Sequence, residues 1–288
     1  MALDPNRVDK PVKKLRRIVK GIRKQPLPEQ VHDLRTNTRR LEATVTALSL
    51  DSSSKVRKLL NHLSRIRQRA GKVRDMDVLT AYAASVDAGE EQDCKVQLLE
   101  HLGAERRKQA KNLHAAVRKN AGPVRRRLKR LSHKVDRLLS EEKDDAVNAS
   151  RQATAEALRL ASELAATTSR LGRQNLHPYR LKVKELRNVL RMAEADDKLV
   201  EVLGNVKDSI GEWHDWEELV GTAQPVLDHG SNCKIVRELK ERANAKYDKG
   251  LAAAEDLRSK YLGSSRERRK GNNLRLRSIP AAITAMAA

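Results

Sequence analysis

Residues 31–41 read VHDLRTNTRRL, and the same order of residue types returns at residues 176–186 as LHPYRLKVKEL. In each segment a histidine is followed by a base three places later and by a second base seven places later, with apolar residues between them. Positions i, i+3 and i+7 share one face of an α-helix. Each segment therefore predicts a helix with one basic side and one apolar side.

The two sides of these helices can be assigned residue by residue. The basic residues are His32, Arg35 and Arg39 in the first copy and His177, Arg180, Lys184 and Arg187 in the second. The apolar residues expected to pack inward are Leu34, Leu41, Val45 and Leu48 in the first copy and Tyr179, Val183, Leu186 and Leu190 in the second. Neither basic side carries interleaved acids at i+4, so we expect its charges not to be paired within the helix.

A second pair of matching segments follows the basic helices. AGKVRDMDVL at residues 70–79 aligns with IGEWHDWEEL at residues 210–219. The alignment pairs Gly71 with Gly211, Asp75 with Asp215 and Leu79 with Leu219. The chain therefore contains an internal duplication, which predicts two helical bundles related by a pseudo-twofold axis.

The composition favours an all-α protein. Ala, Leu, Arg, Lys and Glu dominate, whereas aromatic residues make up 2% and phenylalanine is absent. The dominant residues are strong helix formers, and strand-like alternation is almost nowhere visible. At 288 residues the chain is long enough to bury a sizeable core of aliphatic side chains.

Apolar periodicity and breaker residues predict the order of elements. Helices are expected at about residues 11–24, 28–50, 55–70, 75–86, 90–119, 123–139, 146–169, 176–195, 198–210, 215–227 and 231–262. Gly71 and Gly211 are expected to end helices, and the aspartates that follow them are expected to cap the next ones. One domain at residues 1–265 then holds two repeats, about 10–140 and 146–262, joined at the acidic residues 141–145. Residues 266–288 are predicted to form a basic, mobile tail.

The net charge of +22 predicts a polyanionic partner, although solvated Lys and Arg faces are an alternative explanation. A basic helix face that occurs once is more often a solvated surface, but the matching residue types in both halves favour a binding role. Phosphate suits such a face because arginine donates two parallel hydrogen bonds to phosphate oxygens. The helix predicted at 55–70 extends the basic set with His62, Arg65 and Arg69, and Lys72 and Arg74 continue the same side beyond it.

Cys94 and Cys233 lie in unrelated contexts without a CxxC or CxxH pair, so we predict no metal site and no cofactor. The chain shows neither a secretory h-region nor a long apolar span, so a cytoplasmic protein without a membrane role is expected.

H-x-x-R-x-x-x-R/K on an early helix, followed by a glycine and an R/H-D step, resembles the CHAD domain, the conserved histidine α-helical domain. The resemblance covers about residues 10–262. It implies two four-helix bundles with a basic central groove or pore that binds inorganic polyphosphate. The residues implied to line this path are His32, Arg35, Arg39, Arg40, His177, Arg180, Lys184 and Arg187. Association with polyphosphate granules would follow from such binding.

Many CHAD proteins carry a CYTH triphosphatase domain, but its ExExK strand motif does not occur here. We therefore predict a binding protein without catalysis.

Two other functions stay open as alternatives. Nonspecific RNA or DNA binding fits the charge, but the chain has only two Trp, four Tyr and no Phe for base stacking. A phosphohydrolase or phosphotransfer enzyme would need a metal cage or an activated nucleophile. The repeated acidic pairs, Asp75 with Asp77 and Asp215 with Glu217, are predicted to cap helices instead.

Overall fold

The protein is represented by a computed structural model. It describes residues 6–47, 50–89, 91–141, 155–166, 170–192, 197–228 and 233–262. These residues form helices and short connections without a β-strand, so the all-α prediction is confirmed. The chain divides into two compact units. Unit 1 comprises residues 1–149 and 225–235, and unit 2 comprises residues 150–224 and 236–288.

Unit 1 is a four-helix arrangement. Its helices are α1 (Asn6–Gly21), α2 (Pro28–Ala47), α3 (Ser54–Ser85) and α4 (Gln92–Glu141), with a 3-10 turn at Leu50–Ser52 before α3. Helix α1 packs against α2 and α4, and α3 packs against α2 and α4, so each helix has two neighbours. The buried side chains include Leu15, Leu34, Leu63 and Leu113, one from each helix. Burial of such leucines is the main stabilising term, at roughly 2 kcal/mol each.

Unit 2 has a helical core of its own. Its helices are α5 (residues 155–165), α6 (Arg173–Met192), α7 (Asp197–Val226) and α8 (Lys234–Leu257), and a π-helical turn, Arg258–Leu262, follows α8. The four helices contribute Leu160, Leu186, Ile210 and Leu257, respectively, to one apolar cluster. At Gly250 the backbones of α8 and α7 approach closely, because a Cβ atom there would lie 3.3 Å from the Cα of Ile210.

The predicted apolar sides of the two basic helices are confirmed. Leu34, Leu41 and Val45 are buried on α2, whereas Leu48 lies outside the described residues. The buried residues on α6 are Tyr179, Val183, Leu186 and Leu190. Packing of these sides against the core turns the histidines and bases of the same helices toward the unit surface.

The predicted ends at Gly71 and Gly211 are wrong. Helix α3 runs through Gly71 and helix α7 runs through Gly211, and both glycines are buried. Each position is instead a contact with an arginine of the preceding helix. Asp75 and Asp215 consequently lie inside helices and do not cap them. The loss of about 1 kcal/mol in helix propensity at one glycine is small against the packing of a long amphipathic helix.

The predicted break between the helices at 90–119 and 123–139 is also wrong, because helix α4 continues through Pro123. Helix α6 begins at Arg173 and not at about residue 176, so Pro178 lies beyond its first turn. Val117, Val124 and Leu128 are buried on either side of Pro123, so both parts of α4 pack into the core of unit 1. Ser53 is the N-cap of α3, although its side chain makes no cap hydrogen bond.

Some sequence predictions concern residues that are not described. The acidic junction beyond Glu141, the start of the helix predicted at 146–169, and the tail at 266–288 lie outside the described residues. Among the described helices, none is long and apolar enough to cross a bilayer.

Candidate functional site

In unit 1, Arg35 of α2 lies directly on the backbone of α3. A Cβ atom at Gly71 would stand 2.6 Å from the Arg35 Nη1 atom, so any other residue would have to displace the guanidinium. The same Nη1 lies 3.9 Å from Oδ1 of Asp75, one turn further along α3. Gly71 therefore admits the arginine of the first H-x-x-R motif to the neighbouring helix.

The charges of three arginines act on the carboxylate of Asp75. Burial raises the pKa of Asp75, and the charges of Arg35, Arg74 and Arg39 act in the opposite direction. Half of the Asp75 side chain is exposed. Three guanidinium groups thus act on one carboxylate. We call Arg35, Arg39 and Arg74 with Asp75 the unit 1 cluster.

In unit 2, two arginines of α6 make the corresponding contact with α7. A Cβ atom at Gly211 would stand 2.6 Å from Nη2 of Arg180, and one at Gly204 would stand 3.0 Å from Nε of Arg187. Nε of Arg180 donates to the carbonyl oxygen of Lys207 at 3.0 Å, and Nε of Arg187 donates to that of Val200 at 3.0 Å. Backbone carbonyls thus fix both guanidinium groups without neutralising their charge.

Two histidines complete the basic side of unit 2. The ring centroids of His177 and His214 are 4.0 Å apart. Burial lowers the pKa of His177, and the neighbouring His214, Arg180 and Lys184 lower it further. Burial and Arg180 likewise lower the pKa of His214, whose Nε2 lies 3.4 Å from Oε1 of Glu218. Both imidazoles are therefore mainly neutral at pH 7. We call His177, Arg180, Lys184 and His214 the unit 2 cluster.

The first histidine has different surroundings from its counterpart. His32 is exposed, and its Nε2 lies 3.3 Å from Oγ1 of Thr36 on the same helix. His214 has Arg74 as its equivalent in the repeat, so unit 1 places an arginine where unit 2 places an imidazole. Only the second copy pairs two histidines within the described residues of the motifs.

The two repeats also differ at Glu42, which forms an ion pair with Arg67 in unit 1. Glu42 is the repeat equivalent of Arg187, and its Oε2 lies 3.2 Å from Nε of Arg67 on α3. Burial raises the pKa of Glu42, and Arg67 acts against this shift. Arg67 also donates to Oγ of Ser64, the equivalent of Gly204, at 3.4 Å. An ion pair in unit 1 therefore replaces the arginine-on-glycine contact that Arg187 makes in unit 2.

The remaining predicted site residues lie along the same helices. Arg40 is exposed on α2. On α3, Arg65, Arg69 and Lys72 are exposed and His62 is half-buried. Among the predicted bases on α3, Arg74 belongs with Arg35 of the H-x-x-R motif, because the charges of both residues act on Asp75.

Sequence reasoning missed the part played by the glycines. Arg180 and Arg187 are seven residues apart on α6, and Gly211 and Gly204 are seven residues apart on α7. The reversed order of these contacts shows that α6 and α7 run antiparallel. Matched seven-residue spacings of arginine and glycine on neighbouring helices are the signal that could have revealed the contact.

The second acids of the repeated pairs hold helices together. Oδ1 of Asp77 accepts a hydrogen bond from Nε of Arg106 on α4 at 2.6 Å, and Arg106 also donates to the carbonyl oxygen of Pro26 at 2.9 Å. Glu217 accepts hydrogen bonds from Arg173 and from Nε1 of Trp213. The capping prediction for Asp77 and Glu217 is therefore wrong, and both residues bridge helices.

Both units thus place the arginine of an H-x-x-R helix on a glycine of the next helix, with further bases around it. This arrangement defines an all-α protein with a duplicated basic motif. The chain belongs to the CHAD domain family, whose sequence model matches residues 7–224. The resemblance indicated by the motifs is confirmed.

The fold is also similar to that of a solved CHAD domain. The crystal structure of the CHAD domain from the plant Ricinus communis matches with a TM-score of 0.59 and 18% sequence identity. The match covers 90% of this chain and 95% of that chain. No curated protein matches the chain.

Proposed function

We propose that this protein binds inorganic polyphosphate through the unit 1 and unit 2 clusters and does not turn it over. CHAD domains are known for roles related to polyphosphate. The observation that carries the proposal is the placement of Arg35 on Gly71 and of Arg180 on Gly211, each with other bases around it. A guanidinium fixed in this way is oriented before the ligand arrives, which lowers the entropy cost of binding.

The chemistry of each cluster suits a phosphate chain. Guanidinium groups donate paired hydrogen bonds to phosphate oxygens, and the Lys184 ammonium adds a mobile positive charge. The neutral imidazoles of His177 and His214 can donate one hydrogen bond each through an N–H. A chain with roughly one negative charge per phosphate would replace condensed counterions with these groups, as other polyanions do.

The aromatic residues favour polyphosphate over single-stranded nucleic acid. Trp213 and Trp216 are each 4% exposed, and Tyr179 is 3% exposed. Base-stacking platforms need accessible rings. In the part of the chain that the structure describes, both tryptophans are buried and Trp213 packs in the core of unit 2, which supports a ligand made of phosphate alone.

The test compares two variants that lose the same charge. The first is R35A/R39A/R180A/K184A, which removes cluster residues from both units. The matched control is R118A/R125A/R237A/K249A, which removes exposed bases from α4 and α8. We expect the first variant to bind long-chain polyphosphate at least about tenfold more weakly than the control, with unchanged helix content by circular dichroism. Equal affinities of the two variants would refute the assignment of the clusters.

Two further measurements separate the alternatives. In competition at moderate salt and equal phosphate concentration, polyphosphate should displace RNA and DNA more effectively than they displace it. Equally effective displacement in both directions would indicate a general polyanion-binding protein. Orthophosphate release over time should stay at the level of a protein-free control, and sustained release that the cluster variant abolishes would establish an enzyme.

A further inference from the structure

Two cysteines that are far apart in the sequence meet in unit 1. Cys94 lies in the first turn of α4, and Cys233 directly precedes α8. Both are thiols, and both are buried. The side-chain sulfur atoms and a carboxylate oxygen of Glu91 all lie within 4.8 Å of one another. Oε2 of Glu91 is 3.1 Å from Sγ of Cys233.

We propose that Glu91, Cys94 and Cys233 bind one thiophilic divalent cation of the Zn²⁺ type. Zn²⁺ takes thiolate sulfur at roughly 2.3 Å and carboxylate oxygen at roughly 2.1 Å, so two ligand atoms around one ion lie about 3.5 Å apart. Sγ of Cys233 and Oε2 of Glu91 are already 3.1 Å apart, and all three atoms lie within 4.8 Å of one another. Three protein ligands leave a fourth position of the tetrahedral ion for water or another small ligand.

The backbone holds the carboxylate of Glu91 in place. Oε2 of Glu91 accepts a hydrogen bond from the backbone N–H of Lys234 at 2.8 Å, which ties the start of α8 to the segment before α4. This bond orients the carboxylate, as hydrogen-bonded neighbours of metal ligands do. Gly89, at φ 53°, allows the preceding turn, and its N–H donates to Oδ1 of Asp87 at 3.0 Å.

A lysine follows each of the two cysteines in the sequence. Nζ of Lys95 donates to the carbonyl oxygen of Val86 at 2.7 Å, and Nζ of Lys234 lies against Gly89, 2.8 Å from where a Cβ would stand. Cation binding would displace both thiol protons to solvent, so two thiolates, one carboxylate and one divalent ion would leave a single negative charge. Lys95 and Lys234 directly follow the two cysteines in the sequence, and their positive charges favour this anionic complex.

The site does not share ligands with either basic cluster, so its test is independent of polyphosphate binding. Full-length protein is reduced, stripped of polyanion because phosphates chelate metals, and titrated with Co²⁺ as a spectroscopic probe. We expect one Co²⁺ per chain, with thiolate-to-cobalt charge-transfer absorption that Zn²⁺ abolishes by displacement. Two protons should be released per Zn²⁺ at a pH at which the thiols are protonated, and Zn²⁺ should raise the Tm.

Variants identify the ligands. C94S, C233S and E91Q should each weaken Zn²⁺ binding by at least about tenfold, the low end of what even an outer-shell partner contributes. The control D93N removes an exposed carboxylate beside Cys94 and should bind as the parent does. Because C233S could fail to fold, E91Q provides a second variant that keeps both sulfur atoms.

Two results would overturn the proposal. One is reduced protein that shows no charge-transfer absorption at saturating Co²⁺. The other is binding of Zn²⁺ by C94S or by E91Q with the affinity of the parent protein. Protein whose two thiols appear only after reduction, and which then binds no Zn²⁺, would show that the pair forms a disulfide and not a metal site.

Discussion

The guanidinium of Arg180 occupies the space above Gly211 that a side chain would otherwise fill, with Nη2 2.6 Å from the position of a Cβ. The same group is fixed to α7 through the carbonyl oxygen of Lys207. The glycine is therefore required by an arginine on another helix and not by the backbone conformation of its own.

Replacement of this glycine should separate stability from binding. Alanine in a helix is favoured over glycine by about 1 kcal/mol, but the G211A methyl group would displace the Arg180 guanidinium. We expect G211A to bind polyphosphate about tenfold more weakly, equivalent to one charge-assisted hydrogen bond of ~1.5 kcal/mol. Affinity is measured by fluorescence anisotropy with labelled polyphosphate.

Gly221 supplies the matched control on the same helix, since a Cβ there would meet nothing within 4 Å. G221A should keep parental affinity and gain about 1 kcal/mol in free energy of unfolding from helix propensity. Equal affinities of G211A and G221A would show that the Arg180 position is irrelevant to the ligand.

The pair of Asp77 with Arg106 should matter for stability and not for the ligand. The Asp77 side chain is 5% exposed and its Oδ1 lies 2.6 Å from Nε of Arg106. Removal of one partner of a buried pair leaves the other without compensation and costs about 3 kcal/mol. D77A should therefore lower the free energy of unfolding in urea by about that amount, with polyphosphate affinity retained in the folded protein.

The exposed pair of Glu105 with Lys108 on α4 is the control for this measurement. K108A should change stability little, because solvent screens such a pair. If D77A and K108A unfolded at the same urea concentration, the Asp77–Arg106 contact would not be a structural bridge.

The presence of helices and the side that each helix buries could be predicted, because both depend on the spacing of apolar residues along the sequence. Leu34 and Leu186, which were predicted to pack inward, are buried. The ends of helices could not be predicted, because Gly71 and Pro123 end a helix only where tertiary packing does not oppose this. The approach of Cys94 to Cys233 could not be predicted either. It depends on how the starts of two helices from distant parts of the chain meet, and no local pattern encodes that meeting.

The histidines of unit 2 should make polyphosphate binding pH-dependent. The pKa values of His177 and His214 are lowered in the unliganded protein, so both become charged only below their ordinary range near 6.5. A polyanion favours the charged form and raises these values. Affinity should therefore increase as pH falls from 7.5, and the gain should reach about tenfold for each histidine whose pKa the ligand raises by about 1 once the pH is below the unliganded pKa.

Protonation of His177 and His214 should have the opposite effect on the stability of the unliganded protein, which it should lower. Because their folded pKa values are lowered, the unfolded chain binds more protons below pH 6.5. Their contribution to stability is complete above 6.5 and is lost as pH falls. The variant H177Q/H214Q should flatten both pH profiles, whereas H133Q, which alters an exposed histidine of α4, should not. Retention of the parental profiles by H177Q/H214Q would assign the dependence to other groups.

Asp75 should oppose polyphosphate binding because it is the carboxylate of the unit 1 cluster. Its distance of 3.9 Å from Arg35 and its half-exposed side chain indicate a weak pair, so D75N should change stability little. Loss of one negative charge about 6 Å from a phosphate removes a repulsion of ~0.7 kcal/mol in a water-like dielectric, which predicts roughly threefold tighter binding. The control D93N removes an exposed carboxylate elsewhere in unit 1 and should leave affinity unchanged.

Weaker binding by D75N would mean instead that Asp75 positions Arg35. A double-mutant cycle of D75N with R35A would then show a coupling energy that simple charge repulsion does not produce.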